Sequence, residues 1–425
     1  MKHPSLPFLL PFLLLSCTSP EANIPIPSQE IKDDDLHFLI ASDLHFLDPS
    51  LRDETFAPGV RDISSDGKAT YYSGVVVDAF VSEVIEKHPD ALFLCGDLTL
   101  NGARVSNDVV YEKLLSLQKE DIPVYLLPGN HDVGITFAYR FLDNTIERVD
   151  TYSPQEFQEK FARFGYAQAE YKDPNSFSYF KEVGDNIWAF MLDANTRTIN
   201  LVYSETLVWL TKVMEELDQK GAKIITFSHQ SLFSHHSLLN VGYQIANAEE
   251  VLASYQAHGV LANFAGHSHI QHYKKERGMV EILNSCLDVY PGQYGSLSLH
   301  DGVWSYHTNG LDVSAYAEKQ GYTDPNLLDF PTYLKNYFDA SNCVGFQKEV
   351  NQIEGLNQLE KKEISSTLFT LNEAYFAGMP VIFDDSLNHA MSLLDSHAKD
   401  FRYYPYVQEM VADLREGNDY RYLQF

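Results

Sequence analysis

Five short motifs along the chain carry side chains that could bind metal ions or move protons. They are Asp43-Leu44-His45, Gly96-Asp97, Gly129-Asn130-His131-Asp132, Ser228-His229 and Gly266-His267-Ser268-His269. Carboxylates, an amide oxygen and imidazoles suit a pair of divalent ions such as manganese, iron or zinc, and the lack of a Cys ligand disfavours a structural zinc. Each motif alone is more often a surface turn. The five together, in this order, predict one binuclear hydrolytic site.

Each motif directly follows an apolar run that has the composition of a buried strand. These runs lie at 36–41, 91–95, 124–127, 223–227 and 262–265. Helical spacing at 74–87 and 105–119 separates the first three runs, which predicts parallel strands joined by right-handed crossovers. Because the carboxyl ends of parallel strands meet at one edge of a sheet, we expect the five motifs to converge in one crevice.

Three glycines stand directly before proposed ligands, namely Gly96, Gly129 and Gly266. A residue without a side chain lets the backbone turn sharply and approach a neighbour closely. We therefore expect tight turns at these positions, with the backbone close to the metal site.

Further apolar runs extend the α/β pattern to about residue 313. Strands are predicted at 178–180, 187–192, 280–283 and 296–299, and helices at 154–164 and 206–219. Ser153 and Glu156 form a capping box in front of the first of these helices, with Pro154 at the first helical position. The pattern predicts an α/β catalytic domain at 34–313.

Helical runs dominate after residue 314, for example at 360–375 and 407–415, and Tyr and Phe are frequent there. These aromatic side chains are interpreted as core rather than as ligands. We therefore expect a small C-terminal helical domain at 314–425, which could shape substrate access or mediate dimerisation.

The N-terminus has the features of a secretory signal at residues 1–17. An apolar run at 6–15 follows Lys2 and His3, and ten apolar residues are too few to span a bilayer. The segment resembles a bacterial lipoprotein signal, in which Cys17 becomes the lipidated first residue. A tether rich in Pro and Ser follows at 18–33. We expect a lipid-anchored protein on the extracytoplasmic face of a bacterial cell membrane, with a secreted protein as the alternative.

The composition argues against binding of long nucleic acids and against a structure that depends on cysteines. The 425 residues include 31 Lys and Arg against 59 Asp and Glu, for a net charge of −28. Long nucleic acids need clusters of basic side chains, so we do not expect them as partners, whereas bound metals still allow a small phosphate substrate. Apart from Cys17, the chain has only Cys95, Cys286 and Cys343, widely spaced, which indicates neither a disulfide framework nor a thiolate metal site.

The order of the motifs resembles that of the calcineurin-like metallophosphoesterase superfamily, whose pattern is D-x-H, G-D, G-N-H-D/E, H and G-H-x-H. The resemblance covers residues 38–269, and every motif is intact. It implies a four-layer α/β/β/α sandwich. The segment from Gly96 to Gly102 is similar to that of class III cyclic nucleotide phosphodiesterases, whereas purple acid phosphatases place a metal-binding Tyr where this chain has Leu100.

The resemblance also implies a role for each motif residue. One metal is expected on Asp43, His45 and His269, and the other on Asn130, His229 and His267, with Asp97 bridging both. His131 would face the substrate phosphoryl group as a general acid or as a stabiliser of developing charge. Asp132 would either orient the His131 ring or only shape the turn. His235 and His236 either line the substrate pocket or lie in an exposed loop.

The implied activity is hydrolysis of a small phosphodiester, with a 3′,5′-cyclic nucleotide as the expected substrate, by attack of metal-bound hydroxide. Two alternatives stay open. The first is an extracytoplasmic phosphomonoesterase or nucleotidase. The second is a binding lipoprotein that has kept the fold and lost catalysis, although the complete set of ligands and His131 speak against it.

Overall fold

The computed structural model describes residues 24–27, 32, 35–53, 67–134, 138–143, 145–198, 200–239, 241–397 and 401–425. Cys17, the whole predicted signal peptide and most of the predicted tether lie outside these residues, so the lipid anchor stays a prediction. In the described part of the chain, no helix is both long enough and apolar enough to cross a membrane.

Strands and helices alternate through the first two thirds of the chain, and helices dominate the last third. The strands are β1 (Leu36–Ala41), β2 (Ala91–Leu94), β3 (Val124–Leu126), β4 (Tyr139–Leu142), β5 (Thr145–Arg148), β6 (Tyr171–Lys172), β7 (Tyr179–Gly184), β8 (Ile187–Leu192), β9 (Lys223–Ser228), β10 (Ala262–Ala265), β11 (His272–Glu276), β12 (Met279–Leu283), β13 (Gln293–His300), β14 (Val303–Gly310) and β15 (Tyr422–Gln424). The helices are α1 (Ser73–Lys87), α2 (Arg104–Lys119), α3 (Pro154–Phe161), α4 (Ser204–Asp218), α5 (Ala248–Ala257), α6 (Val313–Gln320), α7 (Pro325–Leu328), α8 (Phe330–Phe338), α9 (Val344–Val350), α10 (Gln358–Ala377), α11 (Asp385–His397) and α12 (Tyr404–Leu414).

The strands form two large sheets and a small hairpin, β4–β5. Among the described residues, the first sheet has the order β15-β14-β13-β1-β2-β3, and the second has the order β11-β12-β10-β9-β8-β7-β6. The strands β1, β2 and β3 are parallel, and so are β8, β9, β10 and β12. The expected parallel arrangement of the strands that precede the motifs is therefore confirmed. Six strands lie outside the predicted ones because polar side chains interrupt their apolar pattern, namely β4, β5, β6, β11, β14 and β15.

The two sheets pack face to face, with helices on their outer sides. The rings of Phe93 on β2 and Phe227 on β9 stack across the gap, with their centroids 4.1 Å apart and their planes 8° from parallel. Helix α1 packs on the first sheet through Phe80, whose ring is 5.2 Å from that of Tyr294. Helices α4 and α5 bury an apolar cluster against the second sheet. The predicted four-layer α/β/β/α sandwich is confirmed.

The helical region after residue 312 shares its core with the sandwich. Helices α6, α7 and the start of α8 place Val313, Leu327 and Phe330 in the same cluster as the first sheet. Helices α9 to α12 form a second cluster that also contains Ile270 and Leu283 of the sandwich. Strand β15 then returns to pair with β14. The helical region therefore packs against both sheets rather than standing apart from them.

A buried polar chain crosses the contact between the sandwich and helix α12. His235 Nε2 lies 3.1 Å from the Glu281 carboxylate, and His235 Nδ1 lies 2.8 Å from His272 Nδ1. On the other side, His272 Nε2 lies 3.3 Å from Asp413, which also accepts a 2.6 Å hydrogen bond from the Tyr420 hydroxyl. Because buried polar groups are costly without partners, this chain fixes how the helical region docks.

We predict that Asp413→Ala lowers the free energy of unfolding by about 1–3 kcal/mol, because the Tyr420 hydroxyl and His272 Nε2 lose their partner. Asp413→Asn is the matched control, since its side chain keeps an oxygen for Tyr420 and offers an N–H to His272. Urea denaturation of both variants and the wild type measures the effect. Equal losses in the two variants would show that the hydrogen bonds do not matter.

Candidate active site

The loops that carry the five motifs meet at the carboxyl ends of the parallel strands, as expected. The loop after β1 is bound to the loop after β2 by two backbone hydrogen bonds, from Asp43 N to Gly96 O at 3.0 Å and from His45 N to Asp97 O at 3.1 Å. In the second sheet, Gly266 N donates to His229 O at 2.9 Å. Backbone hydrogen bonding therefore holds the motif loops in fixed register.

The predicted metal ligands adopt an uncommon backbone conformation. Five of them have a positive φ: Asp43 (56°), His45 (41°), Asp97 (49°), His267 (66°) and His269 (57°). Non-glycine residues rarely occupy this region, and those that do tend to be held there by the surrounding structure at functional sites. Five of the seven residues that were predicted to bind metal thus share this conformation.

The three motif glycines are as crowded as predicted. A Cβ atom on Gly129 would lie 2.1 Å from Asp97 Oδ1, and one on Gly266 would lie 2.4 Å from Asp43 Oδ2. A Cβ atom on Gly96 would meet the backbone of Gly129 at 2.7 Å. Glycine is required here because the backbone itself packs against the two carboxylates.

Asp43, His45 and His269 form the first ligand cluster. The Nε2 atoms of His45 and His269 lie 3.1 Å apart, and Asp43 Oδ1 lies 3.6 Å and 3.4 Å from them respectively. The other oxygen, Asp43 Oδ2, accepts a 2.8 Å hydrogen bond from His267 N. Asp43 Oδ1 is buried and has no hydrogen-bond partner among the described residues. An orphaned carboxylate oxygen facing two imidazole nitrogens fits a cation site.

Asp97, Asn130, His229 and His267 form the second cluster. His229 Nε2 lies 3.2 Å from Asp97 Oδ2 and 3.0 Å from Asn130 Oδ1. A ring nitrogen of His267 lies within 4.8 Å of ligand atoms of Asp97 and His229. On its far side, His229 Nδ1 lies 2.8 Å from Cys95 O, which leaves Nε2 to face the cluster. This is the second predicted ligand set.

Asp97 connects the two clusters. Its carboxylate also lies within 4.8 Å of ligand atoms of His45 and His131. Its Oδ1 accepts a 2.8 Å hydrogen bond from His131 N, so that Oδ2 faces the imidazoles. Asp97 therefore lies between the two clusters, and the His131 ring lies beside it.

The charges of the site favour a cation next to the buried carboxylates. Burial would raise the pKa of Asp97, but the neighbouring imidazoles of His229 and His131 outweigh it and hold the pKa well below its usual range. Burial would lower the pKa of His229, but Asp97 outweighs it and raises the pKa to about 9. Positive charge beside Asp97 is thus strongly stabilised, which suits divalent ions in this cradle.

Of the two roles expected for Asp132, its contacts fit the structural one. Its carboxylate accepts hydrogen bonds from the backbone N–H groups of Leu98, Thr99 and Gly129, at 2.9–3.1 Å. Burial and then the charge of Asp97 raise its pKa to about 7. The Nδ1 atom of His131 instead lies 2.6 Å from Leu100 O. Asp132 therefore fastens two motif loops together, and a backbone carbonyl orients the His131 ring.

Both expectations for His235 and His236 are wrong. Their side chains are only 3% and 0% exposed. His235 belongs to the buried chain with Glu281, and His236 Nε2 lies 3.3 Å from Tyr406 O of helix α12. These histidines therefore help to dock the helical region and do not line the pocket.

Two residues near the site were not predicted. Lys68 is buried and lines the same cavity as Asp97 and His131. The Cys286 sulfur lies 2.9 Å from both Asp43 O and Asp288 Oδ1, which share its single S–H hydrogen, and burial followed by the Asp288 charge raises the pKa of the thiol well above the usual value. Cys286 thus contacts the backbone of the Asp43 loop, and its sulfur also lies within 4.8 Å of ligand atoms of His45 and His269. Neither residue lies in a motif that could have indicated its position.

We predict that Gly129→Ala reduces metal content and hydrolytic activity by about 10- to 100-fold, because the added methyl group displaces the Asp97 carboxylate. Gly310→Ala is the matched control, since a Cβ atom there meets nothing within 4 Å. Metal analysis and hydrolysis of bis(p-nitrophenyl) phosphate report the effect, with circular dichroism as a check on folding. Full metal content in Gly129→Ala would contradict the prediction.

Comparisons with known proteins agree with this geometry. Residues 36–271 match the calcineurin-like phosphoesterase family, and residues 312–416 match the C-terminal domain of cyclic nucleotide phosphodiesterase. The chain matches no curated protein.

Similar folds occur among solved structures. A dimetal phosphatase from Danio rerio is 16% identical, with a TM-score of 0.50, and the alignment covers 65% of this chain and 97% of that one. GAP50, the anchor in the inner membrane complex of Plasmodium, is 12% identical, with a TM-score of 0.39, and the alignment covers 72% of this chain and 96% of that one. At such identities the likeness concerns the fold alone. The family match, however, spans more than half of the chain, so the chain belongs to the calcineurin-like phosphoesterases, a family that uses a dimetal centre, and is a metal-dependent phosphoester hydrolase.

Proposed function

We propose that the protein is a phosphodiesterase that hydrolyses a small phosphodiester, with a 3′,5′-cyclic nucleotide as the preferred substrate. The observation that carries the proposal is the pair of ligand clusters joined by Asp97, with the His131 ring beside the junction. The match of residues 312–416 to a domain of cyclic nucleotide phosphodiesterase supports the choice of substrate. A single cavity of about 360 Å³ borders both the clusters and that domain, which suits a small ligand.

The two ligand clusters would each hold one divalent ion. Asp43, His45 and His269 offer the first set of ligand atoms, and Asn130, His229 and His267 offer the second, with Asp97 between them. Such ions supply a nucleophile by lowering the pKa of water and neutralise charge on the phosphoryl oxygens. Their chemical identity is open between manganese, iron and zinc, since all three accept these ligands.

His131 is placed to donate a proton to the leaving group. Because a carbonyl oxygen can only accept, Leu100 O fixes a hydrogen on His131 Nδ1. The Nε2 atom then lies on the cavity side, 4.0 Å from Asp97 Oδ2. A second proton held on Nε2 can pass to the leaving oxygen as the phosphorus–oxygen bond breaks. An alkoxide is a poor leaving group, so a diester of an aliphatic alcohol depends on this proton.

We predict that Asp97→Ala and Asn130→Ala each abolish the hydrolysis of bis(p-nitrophenyl) phosphate in the presence of manganese, because each removes a ligand from the centre. A panel that includes a cyclic nucleotide and the monoester formed from it measures the substrate preference. Activity that survives both substitutions contradicts the mechanism. Faster turnover of the monoester than of the cyclic nucleotide would make the enzyme a phosphomonoesterase instead.

His131→Gln should lower the rate on a cyclic nucleotide by about 100-fold or more, because the proton donor is lost. The same variant should lose much less on bis(p-nitrophenyl) phosphate, since p-nitrophenolate leaves without a proton. Turnover numbers for both substrates, measured on wild type and variant, give the comparison. Equal losses would assign His131 to charge stabilisation rather than to acid catalysis.

A further inference from the structure

The cavity at the metal centre has two walls from different parts of the chain. One wall comes from the sandwich and includes Asp97, His131, His267 and His269. The opposite wall comes from the helical region and consists largely of aromatic rings: Phe346, Phe376, Tyr403 and Tyr406. The part of a substrate that extends away from its phosphoryl group therefore meets helices α9, α10 and α12.

The aromatic wall is built rigidly. The Tyr406 hydroxyl donates to Asn372 Oδ1 at 2.8 Å, and this hydrogen bond holds the Tyr406 ring in place. Tyr403 packs over Gly345, where a Cβ atom would lie 2.7 Å from the Tyr403 hydroxyl oxygen. Phe346 is 4% exposed and belongs to the cluster that also contains Ile270 of the sandwich. The rings therefore keep their places relative to the metal ligands.

Two tyrosines offer aromatic surface to an occupant of the cavity. Tyr403 and Tyr406 are half-buried where they line it. Phe346 is buried and packs against both, with its ring centroid 5.2 Å from that of Tyr403 and 6.2 Å from that of Tyr406. Planar heteroaromatic groups pack well against such rings, so the tyrosine surface suits a flat occupant.

Polar and further aromatic side chains also line the cavity. Lys68 lines it together with His131 and adds positive charge to the cavity wall. Asn342 lines it as well, beside the aromatic residues. Tyr243 also lines the cavity, with its ring 5.1 Å from that of His267, so aromatic surface continues to the metal side.

We propose that the helical region forms a ring-binding subsite in which Tyr403 and Tyr406, backed by Phe346, stack a nucleobase of the substrate. The subsite deepens the proposed function and rests on it only for the position of the phosphoryl group. These aromatic residues determine specificity and take no part in bond breaking. Base stacking on aromatic side chains strengthens binding by about 10-fold per base.

The test is calorimetric binding to the full, manganese-loaded chain, which does not depend on turnover. The ligands are the non-hydrolysable 5′-phosphonate analogue of adenosine monophosphate and the same phosphonate of ribose, which lacks the base. We expect the base to improve Kd about 10-fold in the wild type. Tyr403→Leu and Tyr406→Leu should abolish this gain and leave the Kd of the ribose phosphonate unchanged. Tyr404→Leu, at a position that does not line the cavity, should retain it.

Equal binding of the two phosphonates to the wild type overturns the subsite, and so does an equal loss in Tyr404→Leu. Circular dichroism confirms that each variant is folded. Hydrolysis of a cyclic nucleotide is measured in parallel. If the cyclic nucleotide is cleaved while the base adds no affinity, only the subsite fails. If the base adds affinity but no cyclic nucleotide is cleaved, the subsite stands and the proposed substrate fails.

Discussion

The burial of two carboxylates at the edge of the sandwich is the constraint from which the rest of the site follows. Asp43 and Asp97 are almost completely removed from solvent, and an ionised carboxylate in that position is very costly unless other groups compensate. Each uses one oxygen to accept a backbone N–H group from a neighbouring motif. The other oxygen of each faces imidazole nitrogens, so the remaining negative charge is directed to one spot between the loops.

Close backbone approach and an unusual chain path follow from that arrangement. A backbone N–H group can reach a buried carboxylate only if the intervening loop has no side chain in the way, which accounts for Gly129 and Gly266. The ligands themselves must turn back toward the strand ends, which accounts for the positive φ of Asp97 and His267. The strain is sustained because hydrogen bonds between loops hold each turn from both sides.

Much of this site could be predicted from the sequence because its parts are local. An apolar run followed by Asp97 or by His229 indicates a strand end, and parallel strand ends converge by geometry alone. The contacts of Asp132 could not be predicted in the same way. A carboxylate next to His131 in sequence suggests a partner for the ring. The orientation of the Asp132 carboxylate, however, depends on three N–H groups from two loops.

Long-range packing explains what the sequence did not reveal. Lys68 and Cys286 lie far from the motifs in sequence and reach the site only through the fold. His235 and His236 follow the Ser228-His229 motif by only six and seven residues, but Glu281 of β12 covers the first and Tyr406 of helix α12 the second. The aromatic residues of the helical region were interpreted as core, and most are, although Tyr403 and Tyr406 also border the cavity.

The return of β15 to the first sheet changes what kind of motion the helical region can undergo. Its chain leaves from β14 and comes back on β15, and these two strands are antiparallel neighbours. In topological terms the entire helical region is the connection of one long hairpin. A module attached by a single linker can swing as a flap, whereas one held at both ends by adjacent strands of a sheet must move with that sheet. The two walls of the cavity therefore belong to parts of the chain that are anchored to the same sheet.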